Sequence, residues 1–125
     1  PSLSFYCPPS AAEPWLPIGE ENRARAVDAQ EADPNSLLHH TRAMLALRKA
    51  NPALKYGSLD VLVADEQRLL FRRQANGQSL LCLFNLSAQA AQWPAEIAAT
   101  NHVLAAVNGA APGTLPAYGA LMIEE

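Results

Sequence analysis

The 125-residue chain is poor in cysteine, in positive charge and in long apolar runs. Its two cysteines, Cys7 and Cys82, are too few and too far apart for a disulfide framework or a zinc site, which favours the cytoplasm. Nine Lys and Arg against twelve Asp and Glu give a net charge of −3, without the clustered basic residues that nucleic acid requires. No run approaches the roughly 18 apolar residues of a membrane span. We therefore expect neither nucleic-acid nor membrane partners.

Sequence patterns that carry catalysis or bind cofactors are also missing. His39 and His40 are adjacent on a predicted helix, so they point about 100° apart and cannot share one metal ion. Most of the acidic residues fall in loops or at chain ends, and none lies at a strand end that could present a carboxylate pair to a sugar. There is no nucleophile elbow and no phosphate-binding glycine loop. The sequence predicts no catalytic residue, no metal site and no cofactor in this chain.

The first 20 residues are rich in proline and in aromatic side chains. Proline restricts the backbone and removes a hydrogen-bond donor, so this segment is predicted to be irregular. Three of its aromatic side chains, Phe5, Tyr6 and Trp15, could stack on sugar rings, and functional residues concentrate in loops. Trp93, which precedes Pro94, is instead predicted to pack in a core, as is Cys82 within its apolar run.

A change of hydrophobic period divides the chain near residue 55. The spacing of apolar residues predicts an amphipathic helix over 34–50, capped by Asp33 with Pro34 at its first position and ended by Asn51-Pro52. We therefore assign 1–54, comprising a loop over 1–33 and this helix, to one part, and 55–125 to a β-domain. If the apolar face of helix 34–50 has no cover in this chain, it favours self-association.

Beyond Gly57 apolar and polar residues alternate in short runs separated by turn signals. Asn76-Gly77 is a dipeptide typical of tight hairpins, because both residues tolerate positive φ. Short strands joined by turns indicate a mainly β fold, an antiparallel β-sandwich. The predicted strands begin near Leu59 and continue at about 68–74, 79–86, 89–93, 102–107 and 119–123.

Several segments together resemble the C-terminal part of bacterial α-glucosidases of glycoside hydrolase family 13, of the oligo-1,6-glucosidase type. The similar stretches are Phe5-Tyr6-Cys7-Pro8-Pro9, Glu13 to Ile18, Val27 to Gln30, Asp33 to Leu38, Leu45 to Leu54 with Gly57, Asn85-Leu86-Ser87, and Leu115 to Ala120. The resemblance covers nearly the whole chain. One departure is that Phe5 is followed by Tyr6, where family members commonly have glycine before the aromatic residue.

The resemblance implies the last helix of a (β/α)₈ barrel followed by a C-terminal α-amylase-type β-sandwich. It implies a parent enzyme that hydrolyses or transfers α-linked glucosyl units by a retaining mechanism, whose catalytic residues lie outside this chain. The chain alone is then inactive, its partner is the catalytic barrel, and Phe5, Tyr6 and Trp15 lie near the substrate entrance. Two alternatives remain open: a freestanding carbohydrate-binding module, and the tail of a trehalose synthase-like glucosyl isomerase or transferase.

Overall fold

The computed structural model describes residues 19, 21–22, 25–97 and 102–125. Its contacts divide the chain into two compact units, Pro1–Leu47 and Arg48–Glu125. Within the described ranges, no helix is both long and apolar enough to cross a membrane.

Two helices, α1 (Val27–Ala32) and α2 (Leu37–Ala50), lie in the part predicted as a loop and one helix. α2 begins three residues after the predicted start, because the carboxylate of Asp33 accepts the N–H of Asn35 at 2.9 Å and holds 34–36 in a turn. Ser36 caps the helix in its place, accepting the N–H of His39 at 3.4 Å. The predicted loop over 1–33 is also wrong at its end, where α1 forms.

The Asn51-Pro52 pair ends α2 as predicted, but it also begins a short third helix, α3 (Pro52–Tyr56), that was not predicted. Proline suits this first helical position, because the N–H that it lacks has no partner there in any helix. Gly57 follows directly, and a Cβ at this position would lie 2.3 Å from the carbonyl oxygen of Ala53. Only glycine fits at this junction without a shift of the backbone.

The second unit contains one antiparallel sheet of five strands in the order β1-β2-β3-β5-β4. Its strands are β1 (Ser58–Ala64), β2 (Arg68–Ala75), β3 (Gln78–Asn85), β4 (His102–Val107) and β5 (Ala120–Glu124). The hairpin between β2 and β3 turns at Asn76 and Gly77 with φ of 52° and 78°, so the predicted tight turn is confirmed. The predicted mainly β antiparallel fold is confirmed as well.

One face of the sheet, the inner face, carries the core. Leu70, Leu83 and Leu121 lie opposite one another on β2, β3 and β5, and each is at most 1% exposed. Ile97 and Leu115, from the segment between β3 and β5, are buried in the same cluster. Burying a leucine side chain contributes about 1.5–3 kcal/mol, so this row is a principal source of the unit's stability.

The strand predicted at 89–93 does not form. Within 86–97 only Ala91 makes a bridge, to Leu115, with the N–H of Ala91 donating to the carbonyl of Leu115 at 2.9 Å. Trp93 packs against the core cluster and donates its indole N–H to the carbonyl of Ile97 at 3.2 Å. The alternation that suggested a strand therefore belongs to irregular chain that packs on the core.

Candidate functional site

The three residues predicted for the substrate entrance, Phe5, Tyr6 and Trp15, lie outside the described residues. Their role stays a prediction.

Three carboxylates in the described part of the chain have a lowered pKa, and each faces an arginine. Arg68 donates to Asp65 at 2.7 and 2.9 Å, and together with backbone N–H groups it lowers the pKa of Asp65 to about 2. In the other two pairs the arginine donates to both carboxylate oxygens: Arg42 to Glu31, and Arg72 to Glu125. Carboxylates held ionised in this way are poor proton donors.

The described residues include no group of three or more His, Cys, Asp or Glu side chains placed to hold a metal ion. Cys82 is 1% exposed in the middle of β3, and burial raises the pKa of its thiol to about 11. A thiol in this state is a weak nucleophile, so the predicted packing role of Cys82 is confirmed. The predicted core position of Trp93 is confirmed by its contact with the core cluster.

A buried polar cluster surrounds Asn85, the last residue of β3. Both the nitrogen and the oxygen of its side-chain amide make hydrogen bonds. Its amide nitrogen donates to the carbonyls of Gln89 and Pro116 at 2.7 and 2.8 Å. Its amide oxygen accepts the N–H and the hydroxyl of Ser87 at 3.0 and 2.8 Å. Asn85 is 3% exposed and joins the loop after β3 to the segment before β5. Sequence reasoning singled out Asn85-Leu86-Ser87 only through the family resemblance.

Part of the second face of the sheet is apolar across all five strands. We define the outer face by two cross-strand rows that contain no polar or charged residue. The first row is Val61, Phe71, Cys82, Met122 and Ala105, and the second is Ala64, Leu69, Phe84, Ala120 and Val107. Phe71 and Phe84 stack with their ring centroids 5.9 Å apart. Cys82 alone among the ten is buried, and Val61 is 51% exposed.

Helix α3 is attached to the same side of the sheet, next to these rows. Gln78, which lies on this side of β3, donates to the side chain of Asn51 at 2.7 Å and accepts the N–H of Ala53 at 3.2 Å. Arg73, which shares this side on β2, donates to the carbonyl of Gly57 at 3.0 Å. These bonds fix the chain that precedes β1 on the outer side of the sheet.

The outer face was not predicted from the sequence, although a signal for it exists. The run Leu80-Leu81-Cys82-Leu83-Phe84 is continuously apolar, and such a run indicates a strand that is covered on both faces. A strand with one face in contact with water would instead show alternating polar and apolar residues.

Residues 57–122 match the model of the family described as "Domain of unknown function (DUF3459)". Among curated proteins, the chain is 48% identical over 82 residues to a probable α-glucosidase of Rhizobium meliloti. The matched stretch covers 66% of this chain and 15% of that protein. It is 34% identical over 84 residues to the probable oligo-1,6-glucosidase 2 of Bacillus subtilis, covering 65% and 15%. The chain thus spans about a seventh of these relatives' length.

Solved structures show the same fold. The α-glucosyl transfer enzyme XgtA matches over 90% of this chain and 22% of its own, with a TM-score of 0.75 and 34% identity. The trehalulose synthase MutB of Pseudomonas mesoacidophila MX-45 matches over 90% and 22%, with a TM-score of 0.77; at 20% identity it shows the fold alone. The chain belongs to the DUF3459 family, a C-terminal domain of the α-amylase family, and is homologous over this stretch to α-glucosidases and oligo-1,6-glucosidases.

Proposed function

We propose that this chain is the C-terminal part of an enzyme that hydrolyses or transfers α-linked glucosyl units, and that its own role is structural. The observation that carries the proposal is the match of this sheet to glucosidases and to a glucosyl transfer enzyme at 34–48% identity, over only 15–22% of their length. The described carboxylates with shifted pKa support a structural role, because each is held by an arginine.

In this proposal residues 1–54 are the end of the catalytic barrel and residues 55–125 are the C-terminal β-domain. The partner of the β-domain is that barrel, and the catalytic carboxylates belong to it. Phe5, Tyr6 and Trp15 lie near the substrate entrance, so they would affect the affinity for substrate and leave the chemistry unchanged. The relatives named as glucosidases are 48% and 34% identical to this chain and the glucosyl transfer enzyme is 34% identical, so the proposal covers both reactions.

The test begins with the intact mass of the natural gene product, measured by mass spectrometry on protein captured with antibodies to this chain. We expect a product several times heavier than 125 residues, which releases nitrophenol from 4-nitrophenyl α-glucoside. The 125-residue chain assayed at the same molar concentration should release none. A natural product of this chain's own size would refute the proposal, and so would turnover by the isolated chain.

A further inference from the structure

We propose that Asn76, at the tip of the β2–β3 hairpin, is a site of spontaneous deamidation in the folded protein, and that a hydrogen bond protects Asn108 from the same reaction. Two of the seven asparagines in the chain precede glycine, at Asn76-Gly77 and at Asn108-Gly109. The inference concerns chemistry that the chain undergoes by itself, so it does not depend on the proposed function.

The reaction requires an asparagine whose side-chain carbon Cγ can reach the backbone nitrogen of the next residue. That nitrogen gives up its proton to solvent base and attacks Cγ, which closes a succinimide ring and releases ammonia. Water then opens the ring at either of its carbonyl carbons, and the product is aspartate or isoaspartate. Glycine at the next position favours the attack, because it has no Cβ to obstruct the approach.

The two Asn-Gly pairs have nearly the same backbone conformation and surroundings. Asn76 and Asn108 have φ of 52° and 53°, and Gly77 and Gly109 have φ of 78° and 72°. All four residues are exposed, and the space beside each glycine is open to 4 Å. A difference in reactivity between the two sites must therefore come from what holds the side-chain amide.

The hydrogen bonds of the two side-chain amides provide that difference. Nδ2 of Asn108 donates to the backbone carbonyl of Tyr118 at 2.7 Å, across the loop that joins β4 to β5. The side chain of Asn76 makes no hydrogen bond to any residue that the structure describes. The bond to Tyr118 must break before the amide of Asn108 can turn towards Gly109, and this requirement slows the reaction about two- to tenfold.

The product formed at Asn76 affects the fold, because the hairpin turn contains only two residues and Ala75 pairs with Gln78 directly across it. Aspartate preserves this turn, since Asp-Gly suits it as Asn-Gly does. Isoaspartate adds a methylene group to the backbone and displaces the closing pair. Gln78 also binds Asn51 and the N–H of Ala53, so isoaspartate should loosen α3 together with the hairpin.

The measurement follows the 125-residue chain, and the natural gene product in parallel, during incubation at mildly alkaline pH. Each deamidation makes the net charge, −3 for this chain, more negative by one, so ion-exchange chromatography separates the products. Peptide mass spectrometry assigns the position, and a methyltransferase specific for isoaspartate identifies that product. We expect Asn76 to react severalfold faster than Asn108 in the folded protein and at nearly the same rate in urea. The isoaspartate fraction should unfold at a lower urea concentration than the aspartate fraction.

A pair of matched variants assigns the acidic product. Gly-Gly adopts the same turn, so Asn76→Gly and Asn108→Gly each remove one reactive amide and keep the backbone conformation. Asn76→Gly should abolish most of the acidic product, and Asn108→Gly should leave its amount unchanged. Equal rates at both sites in the folded protein, a faster reaction at Asn108, or a rate ratio that persists in urea would overturn the proposal. An Asn76 that reacts only after unfolding would overturn it as well.

Discussion

Replacing Asn85 should remove a large share of the stability of the β-domain. Its side chain is 3% exposed and makes four hydrogen bonds of 2.7–3.0 Å, to Ser87, Gln89 and Pro116. An intramolecular hydrogen bond contributes about 1 kcal/mol, and a buried acceptor left without a partner costs about 1–3 kcal/mol. Because Gln89 is exposed, water can replace that bond, so we expect Asn85→Ala to lower the free energy of unfolding by about 2–4 kcal/mol.

The assay is urea unfolding followed by far-UV circular dichroism, with the slope of the transition held in common between variants. Ser87→Ala is the matched control, because it removes a hydroxyl from the same cluster and leaves Asn85 in place, at a cost of about 1 kcal/mol. A domain of this size has a total stability of only about 4–12 kcal/mol, so Asn85→Ala should shift the urea midpoint visibly.

The variant Asn85→Asp tests whether the hydrogen bonds of the side-chain amide are the cause of the expected loss of stability. An aspartate keeps the shape of the side chain but turns the donor that faces Pro116 and Gln89 into an acceptor. Repulsion between oxygens and burial should raise the pKa of Asp at this position above its unfolded value of about 3.9. The unfolded state then releases the proton more readily, so the variant should lose stability as the pH rises above about 4. Equal costs for Asn85→Ala and Ser87→Ala, or a pH-independent Asn85→Asp, would refute this reasoning.

Two further outcomes follow from shifted pKa values. Since Arg68 lowers the pKa of Asp65 to about 2, the ion pair should stabilise the fold above about pH 4, and that contribution should disappear as the pH falls towards 2. The difference in free energy of unfolding between wild type and Asp65→Asn, measured by urea unfolding from pH 7 to 2, should therefore shrink between pH 4 and 2. A difference that stays constant would contradict this reasoning. Because the pKa of Cys82 is raised to about 11 and the thiol is buried, iodoacetamide at pH 8 should alkylate it only in urea. Peptide mass spectrometry measures the alkylation rate. Equal rates with and without urea would show that the thiol is accessible in the folded protein.

The features that the sequence predicted well depend on local chemistry. Asn76-Gly77 has the positive φ values that the hairpin requires, and few other residues adopt them without strain. Asn51-Pro52 ends α2 because proline cannot continue it. Such signals act within a few residues of where they are read, so tertiary contacts do not override them.

The misses depend on contacts distant in sequence or on competing local bonds. Asp33 was predicted to cap the helix, but its carboxylate accepts a hydrogen bond from the N–H of Asn35 instead. The capping residue is Ser36, whose hydroxyl accepts the N–H of His39. Helix α3 is five residues long, too short to show a period, and Gln78, 25 residues later, fixes its first turn. The alternation at 89–93 reflects packing on a core whose buried members come from β2, β3, β5 and the segments between β3 and β5, which no local window contains.

The candidate site could be predicted only in part, because it contains no chemical motif. Catalytic groups leave recognisable patterns in a sequence, since their chemistry demands particular residues at particular spacings. An apolar docking surface leaves only an excess of hydrophobic residues, and that excess is read first as core. In β3 the inner Leu81 and Leu83 account for two of the five residues of the apolar run, and the chain's own residues cover them.

The other three residues of that run, Leu80, Cys82 and Phe84, lie on the opposite side of the sheet and need a different explanation. Leu80 and Cys82 are buried at 0% and 1%, but Phe84 and its stacked partner Phe71 remain partly exposed. Along β3, burial on this side therefore decreases from Leu80 towards Phe84. Phe71 and Phe84 gain from stacking on each other, but the exposed part of each ring forgoes about 25 cal/mol per Å².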